Sequence, residues 1–168
     1  MRGSVGLAPL DPPYVNPGAH ALPPDERDSQ TPRSFTERLG VRADEEGRLV
    51  LEVGPAHLRS LGIAHGGMIA TLLDSAMGLE VSRSAPPDHY VVTAQLNVNF
   101  IRPAWEGETL VASTRVRHSG GKTAVAQGDL ATTSGALVAT ASGMFVYVRH
   151  TDATRSRPDR LEPAQPGT

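Results

Sequence analysis

The chain has 168 residues, of which 39% are apolar and 20% charged, with a formal net charge of −2. That is one domain of ordinary soluble composition, and it lacks the basic face that phosphate-backbone binding needs, which excludes nucleic acid as a partner. The absence of cysteine removes disulfides, thiolate nucleophiles, iron–sulfur clusters and cysteine-based zinc sites, and no stretch approaches the roughly 20 apolar residues of a membrane span.

Residues 1–33 carry seven of the fourteen prolines, each of which interrupts a helix or a ladder, so this segment reads as an extended or disordered arm. It has no continuous apolar run of the secretory kind, and the expected location is the cytoplasm. Residues 150–168 are polar and proline-bearing and read as a disordered tail, leaving a domain over 34–149.

Within that domain Phe35 to Val41 reads as a short helix or a strand, Asp44-Glu45-Glu46-Gly47 as a turn, and Arg48–Val53 as a strand. Gly66-Gly67 then opens a run to Leu79 of helical length, with good helix formers and apolar residues on nearly every face, the pattern of a buried helix. After Pro86-Pro87 the period changes: Val92, Ala94, Leu96, Val98 and Phe100 alternate with polar residues. Strand-like runs follow at Thr109–His118, Thr123–Thr132 and Ala136–Arg149, separated by the glycine turns Ser119-Gly120-Gly121 and Thr133-Ser134-Gly135. An antiparallel sheet wrapped around one long central helix satisfies this order, an α+β class.

Asp74 is the only charged residue between Gly66 and Leu79. A carboxylate in a buried helix is costly unless paired or solvated, and Ala70, Thr71, Met77 and Gly78, three and four residues away, offer no local ion pair. Such a carboxylate is expected to have a raised pKa and to serve as a base. The structural alternative is that it caps a chain end or pairs with an arginine from another strand. At the start of the same helix, His65-Gly66-Gly67 presents unpaired first-turn N–H groups and the positive end of the helix dipole, a place for an oxygen gaining negative charge. The plain alternative is a glycine-rich helix start. Together the two features read as a carbonyl-polarising site and a base near one another, as thioester hydrolysis requires.

The stretch Ala64-His65-Gly66-Gly67-Met68-Ile69-Ala70-Thr71-Leu72-Leu73-Asp74-Ser75-Ala76 resembles the signature of hotdog-fold acyl-CoA thioesterases of the phenylacetic-acid-degradation type, related to the Arthrobacter-type 4-hydroxybenzoyl-CoA thioesterases. The likeness continues through Thr93 to Ala104, Gly107-Glu108 and the Gly120-Gly121-Lys122 turn, over about 48–149. It implies a sheet wrapped around the helix, protomers whose sheets join, active sites between subunits, and a homodimer that often pairs again into a homotetramer. By the same resemblance Asp74 is nucleophile or general base, Gly66 gives its N–H to the thioester carbonyl, Gly67 belongs to the same substrate loop, His65 shapes it, and Thr93 orients the attacking water. From the strand pattern alone Thr93 is a polar-face residue.

One departure stands out. Where the family usually has Asn or Gln, six residues before His65, this chain has Arg59, with Ser60 beside it and His57 two before. A guanidinium cannot accept a hydrogen bond, so either Ser60 or His57 substitutes, or Arg59 forms a salt bridge. Lys122, the single lysine, and Arg102 and Arg117 are candidates for the CoA phosphates, with solvated edge charges as the alternative. His20, His57, His89, His118 and His150 show no metal-ligand spacing, so no metal is expected, and no cofactor either, since CoA is part of the substrate. A non-catalytic acyl-CoA binding or sensor protein on the same fold is the competing reading. A dehydratase of that fold needs a histidine facing an acid across the helix, and the helix body here has none.

Overall fold

The computed structural model describes residues 34–151; the proline-rich arm and nearly all of the tail expected above lie outside them. Helix α1 covers Phe35–Arg38, started by a capping box in which Ser34 and Glu37 satisfy each other's backbone N–H groups. Strand β1 (Arg42–Ala43) then pairs with β2 (Leu49–Glu52) across the acidic turn. The first apolar stretch is thus a helical turn leading into a two-residue strand. A short 3-10 turn, Pro55–His57, leads toward the long helix α2, Gly66–Arg83. The remaining strands are β3 (His89–Phe100), β4 (Thr109–Ser119), β5 (Thr123–Thr132) and β6 (Leu137–Arg149).

All six strands form one antiparallel sheet in the order β1-β2-β4-β5-β6-β3. Strand β3 crosses over to pair with β6, so its other edge is open. The sheet curls around α2, the hotdog arrangement. Buried Leu110, Ala112, Ala124, Ala126, Leu130, Val138, Ala139, Ala141 and Phe145 pack their side of the sheet onto Met68, Ile69, Leu72, Leu73, Met77 and Val81 of the helix. Glycine has a packing reason at Gly143, where an added Cβ would come within 2.9 Å of the Phe145 ring, and at Gly128, where it would press on Leu73 at 3.2 Å and Met77 at 3.3 Å of the helix.

The helix is not buried all round, as its composition suggests. One face is in the core; on the other, Gly66, Ala70, Thr71, Asp74, Ser75 and Gly78 are only partly covered. These residues are small or polar, and β3, the strand nearest that face, is itself an edge whose Thr93, Ala94 and Gln95 are exposed. Among the described residues nothing closes over them. Asp74 therefore lies half-buried where α2 faces β3.

Candidate active site

Asp74 is half-buried, and its Oδ1 accepts a 2.8 Å hydrogen bond from the Thr93 hydroxyl. The sheet arranges this contact through a β-bulge. The β3–β6 register shifts between Thr93 and Gln95, leaving Ala94 as the extra residue. Thr93 opposite Phe145 and Leu96 opposite Gly143 thereby share the helix-facing side, and the bulge turns Thr93 toward Asp74. No arginine or lysine among the described residues pairs with Asp74.

His65 is the N-cap of α2, and its Nδ1 accepts the Gly67 N–H at 2.9 Å. The Met68 N–H bonds the His65 carbonyl at 3.0 Å. Of the first three amides of the helix, that of Gly66 alone has no partner among the described residues. The free donor is therefore Gly66, and the Gly67 N–H, grouped with it in the sequence, is already taken by the imidazole. Since Nδ1 is an acceptor here, the neutral ring carries its proton on Nε2, toward solvent.

Gly66 and Asp74, which the sequence puts near one another on one helix, stand about two turns apart on α2. Eight residues of α-helix separate them by about 12 Å along the axis, whereas a base or nucleophile must come within about 3.5 Å of the carbon whose oxygen the N–H holds. One carbonyl cannot touch both groups. The helix thus presents two separate groups of candidate residues, His65 with Gly66 at its start and Asp74 with Thr93 further along.

The loop before His65 is fixed by a second histidine. His57 Nδ1 accepts the Gly54 N–H and its Nε2–H donates to the Leu39 carbonyl, both at 2.9 Å, while its own carbonyl takes the His65 N–H at 2.8 Å. With both ring nitrogens engaged, His57 pins the loop and has no free atom for a substrate. Arg59 and Ser60 are exposed at the start of a turn closed by Gly62 N–H to Arg59 carbonyl at 3.1 Å, with Gly62 at φ 71°. No carboxylate among the described residues pairs with Arg59.

Of the phosphate candidates, Lys122 is exposed on the β4–β5 hairpin and Arg117 is the extra residue where the β4–β5 register shifts between Val116 and His118. Arg102 is engaged elsewhere. Its Nη2 bonds Glu108 Oε1 at 2.9 Å and its Nη1 the Pro103 carbonyl at 2.8 Å, while Glu108 Oε2 takes the Trp105 N–H at 2.8 Å. Burial pushes the Glu108 carboxyl up, but the Trp105 N–H and the Arg102 guanidinium outweigh it and hold the pKa below the ordinary glutamate range. Arg102 thus builds the 102–108 turn. The sequence missed this pairing because Arg–X5–Glu has no helical or strand spacing to advertise it.

Phe100, the last residue of β3, was also missed. Its ring lies against Gly66, at 3.4 Å from the position a Cβ would take there, yet it is 56% exposed. In sequence it is one more apolar residue of an alternating strand. A separate cleft of about 220 Å³ opens between α2 and β4, lined by Ala76, Leu79, Glu80 and Arg83, which lie on the side of α2 away from Asp74. Its rim charges pair with one another or with Asp44. Among the described residues no cluster of His, Asp or Glu is placed to hold a metal ion, and no helix is long and apolar enough to cross a membrane.

The sequence model of the thioesterase superfamily matches residues 61–139. A putative esterase of Pseudomonas aeruginosa is 36% identical over 106 residues, 62% of this chain and 78% of that protein. Acyl-coenzyme A thioesterase 13 of Mus musculus is 34% identical over 92 residues, 53% of this chain and 64% of the mouse protein. Among solved structures, a Bacillus halodurans protein crystallised with CoA superposes with a TM-score of 0.63 at 32% identity, over 67% of this chain and 74% of that one. The E. coli PaaI protein of the phenylacetic acid degradation operon does so with a TM-score of 0.61 at 25% identity, over 67% and 83%.

Proposed function

This chain belongs to the thioesterase superfamily, and from that premise we propose that it hydrolyses an acyl- or aryl-CoA thioester to the free acid and CoA. The observation that carries the reading is the Thr93–Asp74 hydrogen bond of 2.8 Å on a helix whose first amide, that of Gly66, has no partner. Asp74 is the general base or the nucleophile, and Thr93, holding one of its oxygens, orients the water. As base, Asp74 takes a proton from water while the hydroxide forms its bond to the carbonyl carbon. The oxygen gaining charge is held by the Gly66 N–H. Collapse of the tetrahedral intermediate breaks the carbon–sulfur bond, and the proton returns to the departing thiolate. His65 keeps the helix start in shape by capping Gly67.

Because the two half-sites lie about 12 Å apart along α2, the Gly66 of one protomer works with the Asp74 of its partner. A homodimer is the smallest active unit, and its natural seam is the open edge of β3, whose outward and inward residues from Tyr90 to Phe100 include no charge to discourage pairing. A homotetramer follows if such dimers pair again. The CoA phosphates fall to Lys122, Arg117 and Arg59, which have no carboxylate partner here, rather than to Arg102. CoA enters as part of the substrate, no cofactor takes part, and the enzyme works in the cytoplasm. The Bacillus relative crystallised with CoA and the mouse relative named as an acyl-CoA thioesterase support this substrate class. The non-catalytic sensor reading has no use for the Asp74–Thr93 pair.

The test is release of free CoA from a panel of aryl-, short-chain and long-chain acyl-CoA substrates. Hydrolysis of one or more well above the uncatalysed rate is the expected result. Tight acyl-CoA binding without turnover across the panel would hand the function to the sensor reading.

A further inference from the structure

We infer that Phe100 is a substrate-contacting residue, the apolar wall of the thioester subsite, on the Gly66 side of the between-subunit site proposed above. This rests on the hydrolase reading above and deepens it. Three observations on the single chain lead there. First, the ring sits directly on Gly66, with Cε1 and Cζ each 3.4 Å from where a Cβ would be. The ring is thus in van der Waals reach of the residue that begins the helix and carries its unpaired amide. Second, the ring stays 56% exposed, an unusual state for phenylalanine in a chain whose other core-facing β3 residues, Leu96 and Val98, are half-buried. It has an open face beside a hydrogen-bond donor. Third, Ala94 is a bulge residue, so Thr93, Leu96, Val98 and Phe100 share the helix-facing side of β3, and the strand carries one residue of each half-site, Thr93 near its middle and Phe100 at its end.

The physical consequence is a division of labour. An N–H polarises a carbonyl more strongly when water is kept away from it, because the surrounding dielectric is lower and no solvent dipole competes. A ring over Gly66 supplies that exclusion on one side, and its free face gives the carbons next to the thioester carbonyl an apolar surface to lie on. Polar substituents at those carbons are disfavoured by the same contact. Antiparallel pairing of β3 with its copy, in the register that sets Thr93 opposite Phe100, brings the Gly66–Phe100 group of one protomer beside the Asp74–Thr93 group of the other. Phe100 then shares a substrate with the partner's Asp74 and not with Asp74 of its own chain.

The experiment uses the full-length protein and the best substrate of the CoA-release panel. Phe100→Ala is expected to lower kcat/KM by about tenfold to a hundredfold, the range for removing an apolar contact at a reacting centre, with Phe100→Leu recovering part of it. Ile101→Ala, next along the chain and similarly exposed at 54%, is the comparison: an equal loss in both variants overturns the assignment. Light scattering accompanies each variant, and a Phe100→Ala protein that loses activity only because it dissociates also overturns it. The trans arrangement is read by unfolding and refolding an equal mixture of Asp74→Asn and Phe100→Ala chains. Mixed dimers then contain one site with both residues intact, and activity is expected to rise several-fold above the average of the two parents. A mixture no better than that average means Phe100 and Asp74 serve the same site from one chain. A wild-type protein without thioesterase activity would remove the hydrolase reading itself, whereas active wild type with an unaffected Phe100→Ala variant removes this inference alone.

Discussion

Asp74 and Glu108 are both carboxylates at partly covered positions, and their surroundings are opposite in kind. Glu108 has both oxygens engaged, one by the Arg102 guanidinium at 2.9 Å and the other by the Trp105 N–H at 2.8 Å. Asp74 has one bond, from a neutral hydroxyl at 2.8 Å, and no cation among the described residues beside it. A carboxylate satisfied on both oxygens by a charge and an amide is held in the fold and has little left to offer a substrate. One that accepts a single hydroxyl at a half-exposed position keeps lone pairs for a water or for a carbonyl carbon. The contrast separates the acid that builds the chain from the acid proposed to use it.

The sharpest way to break that contrast is Asp74→Asn. The amide keeps the size of the side chain and can still accept the Thr93 hydroxyl, so folding is expected to stay intact while turnover falls by at least about a hundredfold. Full activity in this variant would make Asp74 as structural as Glu108. Thr93→Val removes the single bond and leaves the shape; a loss near tenfold, the equivalent of about 1.4 kcal/mol, is expected in kcat, with binding of acyl-CoA little changed.

The helix start is tested next. His65→Ala strips the cap from the Gly67 N–H and is expected to cost about 1 kcal/mol of stability, whereas His65→Asn, whose side-chain oxygen can accept the same N–H, retains most of it. Equal unfolding midpoints for the two variants in denaturant would show that the imidazole bond does not hold the helix start.

Glu108→Gln carries the smallest expected effect, up to about 1 kcal/mol at neutral pH. Because the folded pKa of Glu108 is lowered, its contribution is complete above the unfolded-state pKa and disappears as pH falls through the folded value. Thermal unfolding of wild type and variant should therefore differ at pH 7 and converge in acid, with activity at pH 7 near wild type. A gap that persists unchanged into acid would mean that the pair adds nothing through its charge.

Much of the fold was legible because its signals are local. The period-two alternation of β3, the glycine turns at 119–121 and 133–135, and the helix formers after Gly66 each require only neighbouring residues to agree. The strand Thr123–Thr132 falls where its pattern puts it, and β4 and β6 differ from theirs by one residue. The helix runs on past Leu79 to Arg83, with fully buried Val81 carrying its core face a turn further and Glu80 and Arg83 ion-paired at 2.6 Å. Asp74 and the His65-Gly66-Gly67 start stood out for the same local reason: one charge in an apolar run, and two glycines before a helix.

By itself, then, the sequence determined the element order, the α+β class, and which helix carries an acid without a neighbour to pair with. Only the tertiary structure decided that Gly66 and not Gly67 has the free amide, that Arg102 belongs to Glu108, that Ala94 bulges so that Thr93 meets Asp74, and that a phenylalanine 34 residues away lies against Gly66. These depend on strand register and on contacts between distant segments, where a shift of one residue reverses which face a side chain takes. The periodicity of a single segment carries no record of what lies across from it.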